Sequence, residues 1–452
     1  MVERPRGTRD FGVKEMAERL ALERGLDNVA NCHGYNRVQT PIFERLDLFT
    51  AKSGPEVVNQ LYAFKDRSNR DLTLRPELTA PVMRMVADSM RANAKPLRLS
   101  YYGQCFRYEE SKKGRYREFY QYGIEHIGAS GPLVEAEVIA LAIRMMQATG
   151  LQDWTVRIGH VGLLYAVLEQ AGIHDGEWEG EGSFTEAAMR LLDKGDNPAF
   201  WDMFGDPLEL GISEDWMDLL TNFTNASGKT HRDGDPIQTA RDMFQGDASW
   251  CKRWQERLDD FERTIDAIAV LAPAPPKLEI DFTISRGLDY YTGMVFEFHV
   301  PSLGGESQVL GGGSYRLMHL FDQPDLDPCC GFGLGFDRVL LAMENENVSI
   351  QKQERRQIVV IPLGNVHPRV LPIVGGLRNK GHQVHLEVRD RGLKRAMRWA
   401  DGMGVDLVMI IGERDIESGN IEIKRLADGY TAQSNLDLES IDEAISNLLD
   451  LG

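Results

Sequence analysis

A chain of 452 residues has room for two or three domains at roughly 100–200 residues each. Hydrophobic residues make up 42% and charged residues 27%, a globular composition that argues against disorder and fibrous repeats. The 51 basic residues are outnumbered by 69 acidic ones, a net charge of −18, so nucleic-acid binding could rest only on local basic patches.

The first ten residues carry no apolar core, so no secretory signal is expected there. No apolar run approaches the roughly 20 residues of a membrane span, and no membrane partner is expected. Residues 14–33 place Met16, Leu20 and Val29 at helical spacing, with Gly34 as a stop. A strand-like run, 35–40, ends at Pro41. Alternating segments at 61–65, 71–75, 97–108 and 117–125 predict a mostly antiparallel sheet, with helices such as 133–149 packed on it.

Residues 173–272 differ: five of the seven tryptophans (Trp178, Trp201, Trp216, Trp250, Trp254) lie here among acidic helical patches. They predict a mainly helical insertion, closed by the stiff link Pro273-Ala-Pro-Pro276. Sheet character returns at 278–283 and 295–300, and the Gly-rich stretch Gly311-Gly-Gly313 precedes an apolar run, 331–342. After a polar link come strand 358–363, a helix to Lys380, strand 383–388, helix 393–403 and strand 407–412. That alternation marks a small α/β domain with a largely parallel core. The expected fold class is α+β, with a first unit in two parts (1–172 and 273–345), the insertion 173–272, a linker 346–356 and a C-terminal domain 357–452.

Four clusters carry chemistry. In the strand 117–125 the alternation sets Arg117, Phe119, Gln121, Gly123 and Glu125 on one face. A cation, an aromatic plate, an amide and a carboxylate make a poor core face and a good floor for a polar, partly aromatic ligand; the alternative is an exposed, salt-bridged hairpin. The basic loop before it holds Arg107, Lys112, Lys113 and Arg115. In Leu74-Arg-Pro-Glu77-Leu-Thr79, Pro76 forces an extended residue and can start a helix, so Glu77 and Thr79 also read as a simple cap. Arg286-Gly-Leu-Asp-Tyr290-Tyr291 is either a ligand-facing run or an aromatic core edge. Gly331-Phe-Gly-Leu-Gly-Phe-Asp-Arg338 lacks the Walker lysine, yet it places an arginine just inside a helix, suited to a polyphosphate tail. The five cysteines show neither C-x-x-C spacing nor a disulfide framework, which points to a reducing, cytoplasmic setting without a protein-bound metal.

Together and in this order, the clusters resemble the histidyl-tRNA synthetase family of class II aminoacyl-tRNA synthetases. Gly34-Tyr-Asn-Arg-Val-Gln-Thr-Pro41-Ile-Phe-Glu44 looks like motif 1, which in the class builds the dimer interface. Phe106-Arg107 through Gln121 looks like motif 2, residues 331–338 like motif 3, and Arg286 through Tyr291 like the histidine-specific motif. Residues 407–413 and 421–424 resemble the family's anticodon-binding domain. The resemblance implies ATP-dependent activation of L-histidine, Mg²⁺, transfer to tRNA(His) and a homodimer.

It further implies that Arg107 meets the ATP α-phosphate, with Arg286 as a second catalytic cation. Phe119 stacks on adenine, Arg338 holds the γ-phosphate, and Arg115 joins the ATP side. Glu77, Thr79 and Gln121 hold the histidine amino group, and Glu125 with Tyr291 and Tyr290 reads the imidazole. The tRNA is expected to meet Lys112, Lys113 and Arg115 at its acceptor end and Arg391, Lys394, Arg395 and Arg398 elsewhere, with Leu393 and Met397 turned to the sheet.

Two departures from the family pattern stand out: Ser314 and Arg316, where an Arg and an Asp are usual, and Asp337, where Glu is common. The first bears on pairing near the histidine pocket and the second on metal or phosphate geometry. A rival reading is the synthetase-like regulatory subunit of ATP phosphoribosyltransferase, which generally lacks the C-terminal domain and degrades the histidine motif. Another is a prolyl or glycyl enzyme, against which residues 286–291 argue.

Overall fold

The computed structural model describes residues 3–50, 59–109, 114–170, 184–193, 197–203, 218, 220–221, 229–230, 236–246, 248–272, 277–284, 291–348 and 357–450. The chain divides into two compact units, 1–351 and 352–452. Among the described residues no helix is long and apolar enough to cross a membrane.

The first unit opens with the helix Val13–Cys32, whose Leu22, Leu26 and Ala30 are buried at helical spacing. Its early strands are β1 (Asn36–Arg37), β2 (Phe43–Arg45), β3 (Ala63–Lys65) and β4 (Asp71–Leu74). A long antiparallel hairpin follows, β5 (Leu97–Phe106) and β6 (Glu118–Ile127). Then come β7 (Thr155–His160), β8 (Lys229–Thr230), β9 (Leu278–Ile280), β10 (Tyr291–His299), β11 (Gln308–Tyr315) and β12 (Cys329–Gly335). Nine of them form one sheet in the order β1-β5-β6-β12-β11-β10-β7-β9-β8; β2, β4 and β3 form a small separate one.

The central strands β5, β6, β12, β11 and β10 are antiparallel throughout. The helix Pro132–Thr149, with ten buried residues, packs against the large sheet and against the helix Ser249–Leu271. Within 173–272 the described elements are four helices and β8. Side chains from this stretch (Phe200, Ile237, Trp254, Phe261) belong to the same hydrophobic core as the sheet.

One expectation differs from the structure, and one segment to which the sequence assigned no element gains one. The Gly-rich stretch is part of a full strand, β11, because its neighbours pair with it on both sides and supply the packing that glycine lacks. The run 35–40 yields only the two residues of β1, which pair in parallel with β5.

The second unit continues the numbering with β13 (Gln357–Leu363), β14 (Gln383–Leu386), β15 (Leu407–Gly412), β16 (Asn420–Arg425) and β17 (Thr431–Asn435), in the order β14-β13-β15-β16-β17. β14 and β15 run parallel to β13, while β16 and β17 are antiparallel additions. The parallel part follows from helical crossovers at His367–Asn379 and Leu393–Met403. In the latter helix Ala396 and Ala400 face the core, whereas Leu393 is 43% exposed. The expectation that Leu393 turns to the sheet is therefore corrected: the small alanines let the helix pack closely, and Leu393 occupies its first, outward position.

Candidate active site

The hairpin β5–β6 carries the densest part of the site. Glu125 is 1% exposed and lies opposite Gly331 of β12, which in turn lies opposite Gly313 of β11. A Cβ on Gly331 would overlap Oε2 of Glu125, so the carboxylate lies over a backbone kept free of side chains. On β5, Tyr101 pairs with Gly123 and its ring lies across that glycine. Its hydroxyl thereby reaches Glu125 two residues along the neighbouring strand and donates to Oε1 at 2.9 Å. Tyr315 of β11 reaches from the other side and donates to Oε2.

Burial pushes the Glu125 carboxyl up to about 7, although hydroxyl donors from Tyr315, Thr79 and Tyr101 pull it back. Burial also drives both phenols well above their ordinary value, so they remain protonated donors at neutral pH. The result is a carboxyl group with fixed orientation, poised between its charged and neutral forms.

Around it stand the other residues singled out in the sequence. Glu77 caps the helix Thr79–Ser89, accepting the amide N–H of Thr79 at 2.5 Å and of Ala80 at 3.0 Å. The Oγ1 of Thr79 is 3.4 Å from the Tyr101 hydroxyl, which links the cap to the carboxylate. Gln121 shares the face of Glu125, and its Oε1 accepts from the Cys105 thiol at 3.3 Å; burial raises that thiol to about 12 and keeps it protonated. Tyr291 begins β10, 8% exposed, its ring edge-on to Tyr315 at 6.2 Å between centroids.

Farther along β6, Phe119 lies under the Arg107 guanidinium, 5.3 Å from ring centroid to cation. Arg107 donates through Nε to the carbonyl of Pro76 at 3.0 Å, which ties it to the segment bearing Glu77. Buried Arg75 supports that segment by donating to the carbonyls of Thr40, Pro41 and Gln104. Arg115 is exposed, with Nη1 3.6 Å from Glu109. Arg338 sits in the first turn of the helix Phe336–Asn345 and donates to the carbonyl of Gln308 at 2.7 Å. Arg286, Tyr290, Lys112 and Lys113 lie outside the described residues.

Both departures acquire a structural setting. Ser314 alternates to the face opposite Tyr315 and donates to half-buried Glu135 at 2.6 Å, away from the Glu125 side; Arg316 is exposed. Asp337 accepts from Arg9 at 2.6 Å, from Arg19 at 2.7 Å and from the amide of Tyr120 at 2.6 Å. Its carboxylate is engaged by protein donors, so any effect of its length on phosphate geometry would pass through the residues it holds.

Sequence reasoning missed Tyr101 and Tyr315. The available signal was the facing pattern of a tyrosine strand and a glycine-rich strand on either side of Glu125.

In the second unit Lys394, Arg395 and Arg398 are exposed on one helix. Arg391 donates to buried Glu387 at 2.5 Å and lies over Trp399 at 4.8 Å. It is held more tightly than its three neighbours.

Residues 7–339 match the family model for histidyl-tRNA synthetase, and residues 357–448 match the model for an anticodon-binding domain. The chain is 38% identical over 426 residues to the histidine–tRNA ligase of Archaeoglobus fulgidus, covering 94% of this chain and 95% of that one. It is 36% identical over 438 residues to the histidine–tRNA ligase of Methanosphaerula palustris, covering 97% and 98%. Among solved structures it is similar to apo S. aureus histidyl-tRNA synthetase, with a TM-score of 0.70, 26% identity, and coverage of 99% of this chain and 100% of that one.

Proposed function

This chain belongs to the histidyl-tRNA synthetase family, and from that premise we propose that it joins L-histidine to ATP as histidyl-adenylate and then transfers the histidyl group to tRNA(His). The observation that carries the reading is the buried Glu125, gripped by Tyr101 and Tyr315 over a floor without side chains. An imidazole N–H donated to that carboxylate selects histidine, because a substrate lacking the donor leaves a buried acceptor unpaired. Discrimination of this kind reaches about 10⁴–10⁵-fold without editing.

The histidine carboxylate is already ionised at pH 7, so its attack on the α-phosphorus needs no general base. The site's task is alignment and stabilisation of charge on the pentacoordinate phosphate. In this reading Arg107 and Arg286 face the α-phosphate, Phe119 stacks on adenine, and Arg338 and Arg115 meet the outer phosphates. Glu77, Thr79 and Gln121 hold the amino group, and Tyr291 and Tyr290 border the imidazole. Pyrophosphate leaves, and a terminal ribose hydroxyl of the tRNA then attacks the acyl carbonyl.

No group of three or more His, Cys, Asp or Glu among the described residues could cage a metal. We assign Mg²⁺ to the substrate on chemical grounds: the ion keeps most of its waters and is usually carried on nucleotide phosphates.

The domain division given above belongs to the same proposal, as do a homodimer through residues 34–44, cytoplasmic residence and tRNA contacts at Lys112, Lys113, Arg115, Arg391, Lys394, Arg395 and Arg398. The anticodon-domain match over 357–448 favours the ligase over a regulatory subunit. A pyrophosphate-exchange panel across the amino acids tests the whole reading. Exchange above background with histidine alone is expected, and exchange driven by proline or glycine would overturn it.

A further inference from the structure

Residues 3–12 contain no regular element beyond a turn, yet they are fastened at three points to residues 116–118, where the chain enters β6. The carbonyl of Gly7 accepts the amide N–H of Arg117 at 2.9 Å and that of Glu118 at 3.4 Å. Gly7 has φ +84°, and a Cβ there would come within 2.6 Å of Arg117 Cγ, so backbone and contact both call for glycine. The Arg9 guanidinium lies 3.7 Å from the centroid of the Tyr116 ring. Its Nη2 also donates to Asp337 Oδ1 at 2.6 Å.

Asp337 completes the connection. Its Oδ1 also accepts from Arg19, in the first helix, at 2.7 Å. Its Oδ2 accepts the amide of Tyr120, the residue between Phe119 and Gln121, at 2.6 Å. Asp337 itself immediately precedes Arg338. One buried carboxylate thus joins the N-terminal segment, the first helix, β6 and the helix bearing Arg338. Arg19 is as buried as the carboxylate it meets, with side-chain exposures of 3% and 4%. Such a pair is costly to break, because one charge is left without its counterpart in a poorly solvated place.

We propose that residues 5–11 form a strap that positions the nucleotide side of the active site, with Arg9 and Asp337 as positioning residues for Phe119, Arg107 and Arg338. The inference rests on reading that side as the ATP subsite. The strap grips β6 at residues 118–120, whereas Glu125 lies about 20 Å farther along at roughly 3.3 Å per residue. Loosening the strap therefore displaces the adenine and phosphate contacts and leaves the imidazole end in place. Small displacements of this kind cost up to about 10²-fold.

The test uses full-length Arg9→Ala, Arg9→Lys and Asp337→Asn proteins. ATP affinity is measured by titration calorimetry without histidine, and both KM values by pyrophosphate exchange. For Arg9→Ala, ATP binding is expected to weaken roughly tenfold and KM for ATP to rise in step, with KM for histidine within about twofold of wild type. Lysine should restore part of the loss, since it returns the charge without the planar stack on Tyr116. Should Asp337→Asn fail to fold, Arg9→Ala decides alone, because Arg9 is partly solvated at 25% side-chain exposure. Unchanged ATP affinity, or equal loss for ATP and histidine, would overturn the strap. The calorimetric arm needs no amino acid, so failure of the histidine assignment would show in the exchange panel and leave this result readable.

Discussion

Replacing Glu125 by Gln tests the pocket through stability as well as binding. The folded carboxyl titrates near 7, whereas an exposed one titrates near 4.5. Below about pH 4.5 both states are protonated and the burial of Glu125 carries no ionisation penalty. Between 4.5 and 7 the unfolded chain ionises first, so stability falls as pH rises, and above 7 the loss is complete. The two values correspond to about 3 kcal/mol at the conversion of 1.36 kcal/mol per factor of ten. Glutamine does not titrate. The stability of Glu125→Gln relative to wild type, followed by urea unfolding between pH 4.5 and 8, should therefore rise by up to about 3 kcal/mol. Histidine affinity at pH 8 should meanwhile drop roughly 10- to 100-fold, the scale of a lost charge-assisted hydrogen bond. The imidazole of histidine titrates in the same range for both proteins, so the difference between them isolates Glu125. Tyr315→Phe supplies a control with a defined direction: losing a donor to the charged form should move the transition to higher pH. Parallel stability curves for wild type and Glu125→Gln across the window would refute the buried-acid reasoning.

Arg107→Ala should lose about 10²–10³-fold in single-turnover adenylate formation, or about 3–4 kcal/mol, the scale for deleting one partner of transition-state charge; near-normal adenylation would remove Arg107 from the site. Deleting residues 357–452 should leave histidine-dependent pyrophosphate exchange measurable and sharply reduce tRNA charging. It should also flatten the salt dependence of tRNA binding as fewer phosphates are neutralised, and unchanged charging at the same salt slope would end the anticodon-domain assignment.

Period-two alternation made the face of β6 legible, because Phe119, Gln121 and Glu125 fall at every second position and polar side chains there have no place in a core. The strand–helix alternation after residue 357 was readable for another reason: β13 and β15 are short continuous apolar runs, buried on both faces, with helical segments between them. Tyr101 and Tyr315 were not. The first sits in an apolar, aromatic strand where a tyrosine reads as packing, and its bond to Glu125 depends on the register that sets it opposite Gly123. The second lies beyond three glycines, a composition that argues against a strand when neighbours are unknown. Asp337 was read beside Arg338 as part of a nucleotide motif, yet its partners Arg9 and Arg19 are more than 300 residues away in sequence. Pairing across that separation leaves no local trace.

The glycines beneath Glu125 limit how this pocket can be redesigned. Cavities are ordinarily enlarged by trimming a bulky wall residue, and here the base has nothing left to trim. Any residue placed at position 331 strikes the Glu125 carboxylate, and one at 313 comes within 2.9 Å of the Tyr291 ring. Substitution at the base can therefore only make the cavity shallower. If Glu125 reads the imidazole as proposed, trimming Tyr101 or Tyr315 to admit a larger amino acid would also remove a contact that holds the carboxylate. At those two tyrosines, breadth of substrate and the hold on Glu125 are therefore coupled.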